Sequence, residues 1–107
     1  VAEVSRFVAK VMQPLLSGVY TVQDDDLFRW LAMAWSLAGM QLEPSAAACL
    51  GGPSALLESA EGQDYLSRQG LLGAMENATH VMWATGGSLI PAAEFQKFVS
   101  KGETLLP

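Results

Sequence analysis

Apolar side chains recur at helical spacing near the start of the chain. Their intervals of three or four residues predict an amphipathic helix over residues 4–16. The positions that carry this pattern are Val4, Phe7, Val8, Val11, Met12 and Leu15. Pro14 lies late in the segment and is expected to end or kink the helix, because proline lacks the N–H group that the helix needs.

A second helical pattern covers residues 25–38 and is apolar on nearly all sides. Asp24, Asp25 and Asp26 precede or open it, and Asp is both a favoured N-cap residue and a good partner for the positive end of the helix dipole. Gly39 is expected to end this helix. A helix that is apolar all round is usually covered on several sides, so we expect the same of this one.

The rest of the chain alternates between short helical and short β-prone patterns. The predicted helices are residues 45–50, which Pro44 starts, then 54–60 and 61–69, and a last one that opens at Pro91 and stops at Gly102. The predicted strands are residues 19–22 and 78–84, with a short extended piece at 41–43. The predicted class is therefore α/β, with strands too few and too short to make a full sheet alone.

The composition suggests a part of something larger. The chain has 107 residues, of which 50% are hydrophobic and only 16% are charged. A free-standing domain of this size buries only about two-thirds of its extended-chain surface, so it needs a larger polar share for the remainder. We therefore expect residues 1–107 to be one segment, without an internal boundary, that is covered by another domain or subunit. The alternative is a compact, Ala-rich helical domain.

Charge, cysteine content and hydropathy exclude several classes of protein. The net charge is −5 and the six basic residues are not clustered, so no basic surface predicts nucleic-acid binding. No apolar run reaches the roughly 20 residues that span a membrane, and no signal-peptide pattern is visible. A single cysteine, Cys49, cannot form an internal disulfide and fits a reducing compartment. We expect a cytoplasmic protein, with no metal-ligand spacing that would identify a metal.

Thr85, Gly86 and Gly87 form the first candidate site, at the end of the predicted strand 78–84. The Thr85 hydroxyl can hydrogen-bond a heteroaromatic nitrogen, and two glycines let a planar ligand approach the backbone closely. The alternative is an ordinary turn after a strand, in which glycine supplies a positive φ.

Glu43 and Ser45 form the second candidate site, within the sequence Leu-Glu-Pro-Ser-Ala at residues 42–46. In the functional interpretation both side chains lie at a strand end and face a cofactor pocket. In the alternative, Glu43 caps the helix that Pro44 starts, where a carboxylate suits the positive helix end.

The chain is otherwise poor in catalytic groups. Its three lysines are Lys10, Lys97 and Lys101, and none lies in the strand-to-helix context of a cofactor-binding lysine. No Ser-His-Asp arrangement or long Gly-rich phosphate loop is present. We therefore expect no catalytic residue in this chain, and the chain alone is expected to be inactive.

The two candidate sites together resemble the D-serine dehydratase (D-serine ammonia-lyase) family. The resemblance rests on residues 42–46, on Asn77 to Gly87 with its Thr-His-Val-Met-Trp-Ala-Thr-Gly-Gly run, and on further matches at residues 7–22 and 90–91. It implies the carboxy-terminal part of the large domain of a fold-type II enzyme that depends on pyridoxal 5′-phosphate (PLP). The implied reaction is β-elimination of D-serine to pyruvate and ammonia.

The resemblance also implies roles for the candidate residues. Thr85 would lie at the pyridine nitrogen of PLP, with Gly86 and Gly87 beside the ring and Glu43 and Ser45 nearby. The Schiff-base lysine and the phosphate loop would belong to the remainder of the parent chain. Two alternatives stay open: a non-catalytic helical interaction module, and a sibling PLP lyase for another hydroxyamino acid.

Overall fold

The computed structural model of this chain describes residues 5–107. Its α-helices are α1 (Arg6–Met12), α2 (Asp24–Ala38), α3 (Gly52–Glu58), α4 (Ala60–Arg68) and α5 (Ala92–Thr104), with 3-10 helices at Pro44–Gly51 and Leu72–Asn77. Within these residues no helix is long and apolar enough to cross a membrane.

The core lies where α2, α5 and the first 3-10 helix meet. Its buried side chains are Leu31, Leu42, Ala46, Ala47, Phe95 and Val99. Phe95 and Val99 face the core from α5 at helical spacing, and the rings of Trp35 and Phe95 pack edge to face with 5.2 Å between their centroids. This cluster fixes residue 42, and with it the start of the first 3-10 helix, against the two longest helices.

The predicted second helix is confirmed, but its N-cap residue is not an Asp. The helix begins at Asp24 after the N-cap residue Gln23, which makes no side-chain capping bond. Gly39 ends it in the left-handed region with φ 63°. Only Leu31 and Ala32 are buried on α2, whereas Leu37 is 80% exposed. The described chain therefore buries one face of this helix, partly covers residues 26–30 and Ala34, and leaves the remaining positions exposed.

Gly102 does not end the last helix, which continues to Thr104. It lies inside α5 at the closest approach to α2, where an added Cβ would overlap the Phe28 carbonyl and come within 2.7 Å of the Ala32 Cβ. Lys101 supports the same contact, since its Nζ lies 3.8 Å from the centre of the Phe28 ring and 3.3 Å from Asp25. Gly102 is thus a packing residue and not a helix stop.

Both predicted strands are absent from residues 5–107, so the α/β prediction is wrong for this part of the chain, which is helical. Residues 19–22 and 78–84 have no regular structure. A strand needs a neighbour to satisfy its backbone groups, and no other described segment pairs with either run. Val81 and Trp83 are 86% and 80% exposed, so the β-prone side chains of the second run also lack a surface to pack on.

The chain exposes more surface than a free-standing domain of its mass. Its accessible area is 8109 Å², whereas a folded monomer of 11.4 kDa exposes about 5,800 Å². The Cα radius of gyration is 15.8 Å, against about 13 Å for a compact domain of this length. Helix α1 contributes to the difference, because none of its residues is buried. Of the predicted helix 4–16, the structure shows a helix over Arg6–Met12. Residue 4 lies outside the described residues.

Candidate functional site

The two sequence motifs meet in space, although they are far apart in the chain. The backbone N–H of Glu43 donates a hydrogen bond to the Gly86 carbonyl, at 3.1 Å. One surface cavity is lined by residues of both motifs, namely Glu43, Ser45, Thr85, Gly86 and Gly87. All five residues that the sequence singles out are therefore adjacent in the structure.

Glu43 directs its carboxylate toward the other motif. It holds the N-cap position of the first 3-10 helix, with Pro44 as the first helical residue, but its side chain makes no capping bond. The Ser45 hydroxyl donates to Glu43 Oε1 at 2.8 Å, and an added Cβ on Gly86 would lie 3.2 Å from Oε1 and Cδ of Glu43. The carboxylate therefore lies against Gly86, and the alternative in which it bonds to the helix N–H groups is not observed.

The two glycines are needed for this close approach. Gly87 is buried and has φ +137°, a region that residues with a Cβ rarely adopt. An added Cβ there would lie 2.5 Å from Leu42 Cα and 2.6 Å from the Glu43 nitrogen, both of which are backbone atoms. The positive φ agrees with the simple turn interpretation, and the contact with residues 42–43 adds a second reason for glycine.

Gln41 is a site residue that the sequence reasoning missed. Its Nε2 donates to the Gly87 carbonyl at 3.1 Å and to the Ile90 carbonyl at 3.2 Å. A signal was available, since side chains alternate along an extended segment. Leu42 is buried in the core, so Gln41 and Glu43 point to the side where the glycine turn lies.

The cavity beside these residues has a volume of about 760 Å³ and is open to solvent. Besides the five motif residues it is lined by Pro44, Ser88, Leu89, Ile90, Pro91, Glu94 and Phe98. Glu43 and Glu94 are carboxylates, and no lysine or arginine belongs to the lining. Its walls are therefore apolar and acidic, which suits an uncharged or electron-poor ring and disfavours a phosphate group.

Thr85 lies at the exposed edge of this cavity. Among residues 5–107, its hydroxyl has no hydrogen-bond partner, in contrast to the bonded hydroxyl of Ser45. Its Oγ is therefore available as a donor or acceptor to a ligand in the cavity.

A second cavity of about 740 Å³ lies between residues 17–21 and helices α3 and α4. Two of its polar side chains already have partners, since the Tyr20 hydroxyl donates to the Ala48 carbonyl at 2.9 Å and Arg68 donates to Asp64 at 2.9 Å, and none of the five motif residues belongs to its lining. Burial raises the pKa of the Tyr20 phenol above its ordinary value, with a smaller contribution from Cys49. We therefore place the candidate site at the first cavity.

The structure offers no metal centre in residues 5–107, where no group of three or more His, Cys, Asp or Glu side chains is placed to hold an ion. Cys49 is half-buried and its thiol donates to the Ala46 carbonyl at 3.2 Å. It behaves as a packed side chain in a helix.

Comparisons with known proteins agree with the family resemblance that the two motifs predict. The chain is 50% identical over 105 residues to "Probable D-serine dehydratase" of Rhizobium leguminosarum bv. trifolii, which covers 98% of this chain and 24% of the relative. It is 45% identical to the protein of the same name from Paracidovorax citrulli, over 99% of this chain and 24% of that protein.

A third relative gives the same result. The "Probable D-serine dehydratase" of Desulfitobacterium hafniense is 44% identical over 96% of this chain and 23% of its own length. The chain thus spans about a quarter of the length of the relatives it matches. No protein-family model and no solved structure matches it.

Identity near 50% over almost every residue of the chain leaves no room for a chance similarity of two short motifs. The predicted resemblance is confirmed: nearly the whole of this chain is homologous to about a quarter of the proteins named probable D-serine dehydratase.

Proposed function

We propose that this chain is the carboxy-terminal segment of a PLP-dependent D-serine ammonia-lyase and supplies the wall of the cofactor pocket beside the pyridine ring. The longer protein that contains it is called the parent protein below. The observation that carries the proposal is the meeting of Glu43 and Ser45 with the Thr85–Gly87 turn at one cavity. The homology to D-serine dehydratases supports the choice of reaction.

The residues of the cavity fit the ring side of PLP. Gly86 and Gly87 present backbone without side chains, so a planar ring can lie close to them. Thr85 offers a hydroxyl for the pyridine nitrogen, and the absence of basic side chains from the lining leaves the phosphate to another part of the parent protein. When bound, PLP supplies an electron sink that favours removal of the proton from the substrate Cα and loss of the β-hydroxyl.

Thr85 would set the protonation of the ring nitrogen. A hydroxyl donates a hydrogen bond without giving up its proton, because its own pKa is far above neutrality, whereas a carboxylate at the same place would hold the nitrogen protonated. Thr85 would therefore favour an unprotonated ring, which suffices for an elimination in which the β-hydroxyl leaves at once. Glu43, fixed by Ser45, would contribute a negative charge at the edge of the ring.

The excess surface of the chain supports a position within a larger protein. Many exposed apolar side chains lie on α1 and its continuation and on residues 81–83, among them Phe7, Leu15, Val81 and Trp83 at 70–86% exposure, and others such as Leu37 and Leu89 lie elsewhere. Covering them with the remainder of the parent chain would bring the exposed area toward that of an ordinary domain. Residues 78–84 would then have neighbours with which to form the strand of a fold-type II domain.

The decisive experiment is pyruvate release from D-serine by the parent protein with PLP, measured by reduction of the product with lactate dehydrogenase and NADH. L-Serine is the stereochemical control, and D-threonine tests for the sibling lyase through release of 2-oxobutyrate. We expect pyruvate from D-serine alone. A folded, PLP-bound parent that releases nothing from D-serine would refute the substrate.

The interaction module remains the second candidate, since exposed apolar helices also serve as docking surfaces. It predicts that the parent protein binds no PLP. Absence of PLP-dependent absorbance in the parent protein would favour the module over the lyase.

A further inference from the structure

The turn that carries Thr85 is held by the packing of Gly87 against residues 41–43, by the packing of Ile90 against the core, and by a small set of hydrogen bonds. Residues 85–90 belong to neither a helix nor a strand. Inside the turn, the Ile90 N–H donates to the Gly87 carbonyl at 3.1 Å. Within residues 5–107, three hydrogen bonds tie this turn to other parts of the chain: one from the Glu43 backbone and two from the Gln41 side chain.

The Gln41 amide can donate two hydrogen bonds to the turn at once. Its nitrogen carries two hydrogens, and one goes to the Gly87 carbonyl and the other to the Ile90 carbonyl. The reverse orientation of the amide would set its oxygen against two carbonyl oxygens, so only the donating end fits. Gln41 is half-buried, and it is not part of the cavity lining. Its amide joins the carbonyl groups of residues 87 and 90 of the turn.

We propose that Gln41 is a positioning residue that holds the Thr85–Ile90 turn in the conformation that presents the Thr85 hydroxyl to the ring of PLP. It acts through Thr85 and does not touch the cofactor. The proposal rests on the proposed function for the identity of the ligand, but the bracing of the turn itself is independent of it.

The test compares variants of the parent protein that differ in donor capacity. Gln41→Met has a similar length and no donor, whereas Gln41→Lys restores N–H donors from a single nitrogen. Gln69→Met is the matched control, since Gln69 is exposed at the end of α4 and its side chain makes no hydrogen bond within the described residues. If Gln41→Met does not fold, Gln41→Asn serves instead, because its shorter amide cannot reach both carbonyls.

Two readouts separate the position of the turn from its function. Amide hydrogen exchange of the peptide that covers residues 85–90 reports on the turn without any ligand. PLP dissociation constants and the absorbance maximum of the bound cofactor report on Thr85. We expect Gln41→Met to raise the exchange rate by about thirtyfold, the size of the two net hydrogen bonds that it removes. The PLP dissociation constant should rise by up to about tenfold, the size of the one hydrogen bond that Thr85 would make to PLP. Gln41→Lys should stay close to wild type and Gln69→Met should be unchanged.

The outcomes distinguish the two proposals. Unchanged exchange and unchanged PLP affinity in Gln41→Met would overturn the role of Gln41 and leave the proposed function standing. Faster exchange with unchanged affinity and spectrum would show a structural brace only and would also overturn the positioning role. A wild-type parent that binds no PLP would overturn the proposed function, and the exchange comparison would then decide by itself whether Gln41 braces the turn.

Discussion

Replacing Gly87 with alanine tests the central contact of the site. The added Cβ would overlap the Gln41 carbonyl and lie 2.5 Å from Leu42 Cα and 2.6 Å from the Glu43 nitrogen. These are backbone atoms, so no side chain can turn aside to make room. Either the turn or residues 41–43 must move.

The cost follows from two separate causes. A residue with a Cβ at φ +137° carries about 1–3 kcal/mol of backbone strain. Overlap with a packed backbone adds about 1–3 kcal/mol, and displacement of the turn would also break the bond from the Glu43 N–H to the Gly86 carbonyl. We expect Gly87→Ala to lower the free energy of unfolding of the parent protein by about 3 kcal/mol or more.

The assay is denaturant unfolding of the parent protein together with PLP titration. Gly73→Ala is the matched control, because nothing lies within 4 Å of its added Cβ and its φ is not positive. Gly86→Ala should fall between the two, since its Cβ would meet the Glu43 side chain at 3.2 Å and not backbone. A Gly87→Ala variant within about 0.5 kcal/mol of Gly73→Ala would refute this account of the site.

Three further predictions concern the ligand, the core and pH. Thr85→Ala should leave the fold intact and weaken PLP binding by up to about tenfold through loss of one hydrogen bond; an unchanged spectrum and turnover, with exposed Thr79→Ala as control, would contradict the role of Thr85. Gly102→Ala should destabilise the protein by about 1–2 kcal/mol net, because overlap with Phe28 costs about 1–3 kcal/mol and outweighs the roughly 1 kcal/mol by which alanine favours a helix over glycine; a thermal midpoint at or above wild type would contradict it. Burial raises the pKa of Tyr20, so above about pH 10 the unfolded chain loses this proton first and stability falls as pH rises; Tyr20→Phe should show a smaller alkaline decline in its unfolding midpoint, and equal declines would contradict the assignment.

Local signals predicted those parts of the fold that depend on local physics. The spacing of apolar residues and the glycine stop at Gly39 identify α2 almost to the residue, because helix periodicity and left-handed caps are properties of neighbouring residues. The same reasoning failed at Gly102, since nothing near it in sequence shows that α2 passes within contact distance. A glycine selected for close packing and one selected as a stop look alike in a sequence.

The prediction of strands was wrong for a different reason. Residues 78–84 have β-prone side chains, but a strand is completed by a partner, and no segment within residues 5–107 provides one. The candidate site was predictable in its residues through the family resemblance, whereas the role of Gln41 required coordinates. Two hydrogen bonds that join positions 41, 87 and 90 leave no periodic trace in the sequence.

The pairing of α2 with α5 has a consequence for the order of events during synthesis. Residues 39–91 separate the two helices, yet Leu31 of α2 shares one buried cluster with Phe95 and Val99 of α5. A ribosome that has finished α2 therefore carries a helix whose main partner does not yet exist, and a nascent chain stopped before residue 92 has only residues 42–47 of the cluster against which to bury Leu31. This part of the protein can complete its core only after α5 has been translated, and a non-local closure of this kind lengthens the time during which apolar side chains are accessible to chaperones.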